Sequence, residues 1–193
     1  FEPYPPFIES LKEKAKVNSR IKVEPFALDE TEGKRTMIIN ESEGTNSFFT
    51  AETSGHQPYG DLMRKKGEIE VTSKTLDKWA SLKKLDSIDI IKLDLQGNEL
   101  SALRGAKLQM QNNKVKAILS EVSFISQYKS QPLAPQFMKM LNDYGFDLFN
   151  IYQIHYHHGQ MIQADALFLN RSLSSTVEET TKSFFLPHSK LIR

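Results

Sequence analysis

Two apolar runs constrain this chain more than any other feature. Residues 88–95 read Ile-Asp-Ile-Ile-Lys-Leu-Asp-Leu, and residues 115–122 read Val-Lys-Ala-Ile-Leu-Ser-Glu-Val. Largely apolar runs of this length are typical of strands covered on both faces, as in α/β sheets. Between them Leu100 and Leu103 fall at helical spacing, and Gly105 is a natural helix terminator. The remaining chain continues the alternation. A helix is expected from Pro6 to Val17, carrying Phe7, Ile8, Leu11 and Ala15 on one face. Strands are expected over Ile21–Leu28 and Arg35–Ile39, joined by a turn at Glu30–Lys34 as a hairpin. Residues 40–68 read as a long loop, with a short strand at Ser47–Phe49 and a solvated basic end at Arg64-Lys65-Lys66. A short strand at Glu70–Thr72 precedes a helix capped by Thr75, with Leu76, Trp79 and Leu82 turned to the core. A further helix covers Ala134–Tyr144. Strands at Phe146–Tyr156 and Ala164–Leu169 then flank His157-His158-Gly159. Alternating helices and buried strands imply an α/β three-layer sandwich. Its sheet is expected to be mostly parallel, with an antiparallel C-terminal hairpin.

Composition narrows the function classes. The chain has 193 residues, enough for one domain with a full core, here residues 1–171 followed by a tail at 172–193. Lys and Arg number 25 against 24 Asp and Glu, so the net charge is +1 and no strongly basic nucleic-acid surface is expected. No apolar run approaches the roughly 20 residues that span a bilayer, and the cytoplasm is the expected location. The absence of cysteine excludes disulfides, thiolate metal sites and cysteine nucleophiles. No metal is expected. His155, His157 and His158 lie within four positions, but that spacing is no recognised site and a hairpin turn explains it better. His56, in the long loop, is a further residue for the acceptor side.

Open α/β sheets bind ligands at the carboxyl ends of their strands. Glu2, Asp94 and Glu121 sit at such ends, and Asp29 follows another. A carboxylate there can accept two hydrogen bonds from a ribose diol; a solvated turn carboxylate or helix-terminal charge is the bland alternative. Lys92-Leu93-Asp94-Leu95-Gln96-Gly97-Asn98-Glu99 is the richest stretch: a buried strand ends, a glycine allows close backbone approach, and a helix begins. Asp94 or Asn98 capping that helix is the rival explanation for either residue alone.

An ordered series of short segments resembles a known family. Phe1-Glu2-Pro3-Tyr4-Pro5, Ala27-Leu28-Asp29, Thr75-Leu76-Asp77, Ile91–Glu99, Leu103-Arg104-Gly105-Ala106 and Ile118–Val122 are similar to the FkbM-type S-adenosylmethionine-dependent methyltransferases, over roughly residues 1–170. The resemblance implies a Rossmann-like class I methyltransferase fold. It implies S-adenosylmethionine as cofactor and O-methylation of a hydroxyl on a sugar, glycan or other small metabolite. Glu2 matches the ribose-binding acid. Ala27 and Leu28 match the adenine-lining segment, with Asp29 beside it. Asp94 matches the acid next to the methionine part and the acceptor, followed by Gln96 and Gly97 of the polar loop. Glu121 matches the acid ending the next strand, and with Asp94 it is the expected catalytic pair. The family often has Glu where this chain has Gln96, so no proton abstraction is assigned to that position. The cofactor's glycine-rich loop ordinarily precedes the ribose acid by ~20 residues, so a strand and loop are expected upstream of Phe1. Two other readings remain open: a nicotinamide-dependent oxidoreductase, which a ribose acid would also suit, and a non-catalytic module that kept the fold.

Overall fold

A computed structural model describes residues 1–52 and 59–173. His56 and all but the first two residues of the tail lie outside the described residues. Helix α1 spans Pro5–Val17 and is followed by strands β1 (Ala27–Leu28), β2 (Gly33–Asn40) and β3 (Lys65–Lys74). Helix α2 (Leu76–Leu82), strand β4 (Ile88–Leu93), helices α3 (Glu99–Arg104) and α4 (Lys107–Gln111), strand β5 (Val115–Ser123), helix α5 (Ala134–Asp143) and strands β6 (Phe146–His157) and β7 (Gln160–Asn170) complete the order.

The strands form two mixed sheets in an α/β arrangement. One has the order β1-β3-β2 and the other β4-β5-β7-β6. Only β1–β3 and β4–β5 pair in parallel; β2–β3, β5–β7 and β6–β7 are antiparallel. The expectation of a mostly parallel sheet is therefore corrected. Residue periodicity reports which face of a strand is buried, and says nothing of which strand lies beside it. The antiparallel C-terminal hairpin is present, and β7 inserts between β5 and β6. His158 (φ +49°) and Gly159 (φ +78°) form its two-residue turn between the paired His157 and Gln160. Positive φ at both central positions matches the right-handed twist of the strands.

The expected hairpin of Ile21–Leu28 with Arg35–Ile39 is also corrected. Only Ala27–Leu28 is strand, and β3 lies between it and β2, so that Ser73 is flanked by Ala27 and Gly33. Pro25 has no N–H, which ends any ladder on its N-terminal side. The long loop is shorter than expected because Lys65 and Lys66 begin the ten-residue β3. Ser47 makes an isolated bridge to Ile38 in place of a strand. In α2, Thr75 caps the helix by accepting the Lys78 N–H. Leu76 and Ala80 are buried, whereas Leu82 is 71% exposed, on the opposite side of the turn. Strand β4 is buried on one face only: Ile91 and Leu93 point into the core, while Ile90 is 55% exposed. It has a neighbour along one edge, β5, among the described residues.

Leu93, Leu103, Met110, Ile118, Leu141 and Phe168 are buried in one core that also takes Leu28 from the first sheet and Phe26 just before β1. Two backbone approaches bring the halves together. The Asp77 carboxylate accepts the N–H groups of Leu108 (2.9 Å) and Gln109 (3.0 Å) at the start of α4, and the Asp77 N–H donates to the Gly105 carbonyl (2.9 Å). Gly105 itself has φ −70°, a helical value, so conformational freedom does not explain it. A Cβ at this position would lie 2.0 Å from the Asp29 carbonyl oxygen. The glycine is there because β1 passes over the end of α3 at backbone distance.

Gly105→Ala is therefore expected to lower unfolding stability by about 1–3 kcal/mol through overpacking. Urea denaturation checks this; an unchanged midpoint would show that the approach of β1 is looser than described.

Candidate functional site

The site is built on the turn that follows β4. Gln96 (φ +52°) and Gly97 (φ +99°) are both left-handed, which reverses the chain between strand and helix. For a residue with a side chain this backbone conformation costs roughly 1–2 kcal/mol, and local contacts hold it. The buried Glu99 carboxylate accepts the N–H groups of Leu95 (2.7 Å) and Gly97 (3.2 Å). Burial pushes its pKa up, against these backbone hydrogen bonds, which pull it down. The Gln96 carbonyl accepts from Ser47 Oγ (2.6 Å). The Gln96 side-chain amide donates to Asp94 Oδ1 (3.0 Å), and its oxygen accepts from the Tyr128 hydroxyl (2.8 Å). A Cβ on Gly97 would press on Phe49, Gln131 and Tyr128, the nearest contact being 3.3 Å. Neither Asp94 nor Asn98 caps α3. Asn98 stands at the cap position without a side-chain cap bond, and Asp94 turns instead to Gln96 and Lys92.

Glu2 and Asp94 line one cleft. Its apolar wall is Phe1, Phe7, Ala27, Leu28, Phe48 and Leu95. Phe1 packs edge-on against Trp79 at 4.8 Å and tilted on Phe26 at 5.4 Å. Glu2 Oε1 accepts the Tyr4 N–H (2.7 Å), which fixes the carboxylate against the start of α1. Partial burial raises the Glu2 pKa, and that hydrogen bond opposes the rise. Asn98 also lines the cleft. Its Nδ2 donates to the Leu28 carbonyl (3.0 Å), while its buried Oδ1 has no partner among the described residues.

The other expected site residues sit elsewhere. Asp29 is fully buried outside the cleft lining. It pairs with Arg35, whose guanidinium lies 4.5 Å from the Phe48 ring centre. Gly97 faces away from the cleft, toward Glu121 and Gln131. Glu121 stands behind Gln163, whose Nε2 donates to its carboxylate. Burial pushes the Glu121 pKa up to about 8, with Glu99, Asp94 and Asp165 adding to the rise and Lys92 opposing it. His155, His157 and His158 lie on the β6–β7 hairpin, and among the described residues no group of three His, Asp or Glu side chains is arranged to hold a metal.

The structure also brings in residues without a sequence signal. Tyr128, Gln127, Gln163 and Tyr59 form a polar cluster beyond Gln96. Gln163 Oε1 accepts from Gln127 Nε2 (2.7 Å) and from the Tyr59 hydroxyl (3.1 Å). Burial, and then the nearby Glu121, raise the hydroxyl pKa values of both tyrosines. Gln163 is one polar position in an alternating strand, and nothing in that alternation distinguishes it.

The family model for the FkbM methyltransferase domain matches residues 1–148. This chain belongs to that family. The 2-O-methyltransferase NoeI of Sinorhizobium fredii (strain NBRC 101917 / NGR234) is 28% identical over 136 residues, which are 68% of this chain and 55% of that protein. The chain thus spans about half the length of the curated relative it matches. No solved structure matches it. The FkbM domain here holds three carboxylates on one cleft, Glu2, Glu43 and Asp94, and a fourth, Glu121, of raised pKa, one hydrogen bond behind the neighbouring polar cluster.

The Glu121 shift has a sign that stability measurements can read. Below the ordinary carboxylate value of 4.5 the folded and unfolded states are both protonated. Between 4.5 and about 8 the folded state keeps a proton that the unfolded state has lost, so stability falls as pH rises. Glu121→Gln removes that slope. Its Tm is expected to match the wild type at pH 4 and to exceed it by a growing margin up to pH 8.5. The comparison isolates Glu121 from Glu99, whose own raised pKa is present in both proteins. A constant difference across this range would place Glu121 in a wetter setting.

Proposed function

We propose that this chain carries the methyl-transfer site of an S-adenosylmethionine-dependent O-methyltransferase acting on a hydroxyl of a sugar, glycan or other small metabolite. The observation that carries the reading is that Glu2 and Asp94, far apart in sequence, share one cleft with an apolar wall between them. The cofactor suits what is present there. The Glu2 carboxylate would take the ribose hydroxyls, the wall of Ala27, Leu28 and Phe48 the adenine, and the unpartnered Asn98 Oδ1 a donor from the ligand. The cleft encloses about 140 Å³, against roughly 300 Å³ or more for a complete small-molecule site. The described residues thus make one side of a cofactor site.

When bound, the cofactor would supply an electrophilic sulfonium methyl with a neutral thioether as leaving group. The chain's residues align and desolvate. Asp94, half exposed at the mouth of the cleft, takes the acceptor's proton. Gln96 orients Asp94 by donating to Oδ1. With glutamate at position 96, that donor would be replaced by a second carboxylate beside the first, and the two would share a proton. The finer description of the fold as a Rossmann-like three-layer sandwich, occupying residues 1–171, belongs to the same proposal. What supports it is β4 parallel to β5, β7 between β5 and β6, and an edge of β4 that no other strand pairs among the described residues.

Two measurements on the full-length protein test this reading. Glu2→Ala should weaken S-adenosylmethionine binding by about ten-fold or more in calorimetry, as expected for losing hydrogen bonds to a charged group. Binding of a nicotinamide dinucleotide in its place would move the protein to the oxidoreductase class. Asp94→Asn should lower kcat by about 10²-fold or more with little change in Tm, because the side chain is half exposed. Equal losses of activity and stability would make Asp94 a structural residue.

A further inference from the structure

A second cavity, of about 290 Å³, lies directly beyond Gln96. Gln96 and Gly44 line both it and the Glu2–Asp94 cleft, so the two spaces meet at one side chain. The amide of Gln96, held by Asp94 on one side and Tyr128 on the other, stands at their junction.

The lining has an unusual chemical bias. Ser42, Thr45, Tyr59, Gln96, Gln127, Tyr128 and Gln163 present hydroxyls and amides, Leu62 and Met63 give an apolar patch, and among the described residues no side chain with a full charge contributes. Amides and phenols donate and accept at once, which is what a hydroxyl also does. A carboxylate or phosphate finds no cation in this lining and has the acids Glu121 and Asp94 nearby. A purely apolar ligand would offer nothing to the remaining amide N–H groups of Gln127 and Gln163 or to the Tyr59 lone pairs, at roughly 1–3 kcal/mol for each buried group left unpaired.

The polar groups are held in place before any ligand arrives. Gln131 Oε1 accepts the N–H groups of Gln127 (2.9 Å) and Tyr128 (3.2 Å), and Gln131 Nε2 donates to Ser123 Oγ (2.9 Å). Thr45 contributes its carbonyl to the Tyr128 hydroxyl (3.0 Å). Gln163 is oriented by its bond to Glu121, so its oxygen faces Tyr59 and Gln127. The Tyr59 oxygen, having donated its proton to Gln163, keeps lone pairs for an incoming hydroxyl.

We propose that this cavity is the acceptor site, and that Tyr59, Gln127 and Gln163 select a neutral polyhydroxylated ring over an anionic or a largely apolar alcohol. The proposal rests on the methyl-transfer reading and adds where the acceptor sits and what chooses it. Glu121 is here a positioning residue: it touches Gln163 and does not line the cavity.

The test uses full-length protein and labelled S-adenosylmethionine, with four acceptor probes: methyl α-D-glucopyranoside, methyl β-D-galactopyranoside, a methyl glucuronide and cyclohexanol. Calorimetry with S-adenosylhomocysteine runs alongside. Transfer to a neutral glycoside is expected, with kcat/KM at least about ten-fold above the uronate and cyclohexanol. Tyr59→Phe and Gln163→Leu should raise the glycoside KM by about ten-fold and leave S-adenosylhomocysteine affinity unchanged. Tyr59→Phe removes one hydroxyl and keeps the ring, so it reports even if Gln163→Leu fails to fold. Three results overturn the proposal while cofactor binding stays intact: equal or better transfer to the uronate or cyclohexanol, no transfer to either neutral glycoside, or an unchanged KM in Tyr59→Phe. Loss of cofactor binding in the wild-type protein would instead remove the methyl-transfer reading beneath it.

Discussion

The site depends on one buried carboxylate. Glu99 reaches back from the first turn of α3 to collect the N–H groups of Leu95 and Gly97. These are two of the backbone donors that a strand-to-helix turn would otherwise leave unpaired. With them satisfied, Gln96 can remain in a left-handed conformation. Its side chain then lies between two hydrogen-bonding partners, and its carbonyl is free to meet Ser47. Asp94 points into the cleft because the turn is fixed beneath it. A charge so deeply buried is costly unless hydrogen bonded, and here both backbone donors lie within bonding distance of the same carboxylate oxygen.

From that turn the two functional spaces diverge. On one side Glu2, the Ala27–Leu28 edge and the phenylalanines make the cleft proposed for the cofactor. On the other side the 42–45 segment, Tyr59, the 127–128 segment and Gln163 make a neutral polar cavity. The loop between β2 and β3 serves both. Thr45 holds Tyr128, Ser47 holds Gln96, and the backbone pairs Glu52 N–H with the Gln127 carbonyl (2.8 Å) and Lys129 N–H with the Thr50 carbonyl (2.9 Å). The described parts of this loop, tied down at these points, act as a wall of the site. This is a physical reason for such a length of irregular chain in a small domain.

Membership of the FkbM family gives the reaction class its foundation, and the geometry gives the residues their places. The acidic residues divide by environment. Asp94 is half exposed at the cleft, Glu99 is a structural anchor, and Glu121 is pushed toward its protonated form behind Gln163. No helix among the described residues is long and apolar enough to cross a membrane, and the acceptor reading needs none.

Much of this molecule was legible in its residues. The Thr75 cap, the strands at Ile88–Leu93 and Val115–Ser123, the terminal hairpin and the strand-to-helix turn at Asp94–Glu99 all follow from local rules of capping, periodicity and turn chemistry. The ordered motifs pointed to the FkbM family. Tertiary structure alone decided the rest, because those rules carry no information about neighbours across space. It set β3 between β1 and β2, inserted β7 beside β5, and among the described residues left one face of β4 uncovered. It withdrew Asp29 into an ion pair with Arg35, and made Gly105 necessary through contact with a distant carbonyl. It also assembled Tyr59, Gln127, Tyr128 and Gln163 into one cavity. Each of them looks like an ordinary polar residue in the sequence, and the chain had to fold before their hydrogen bonds could define a site.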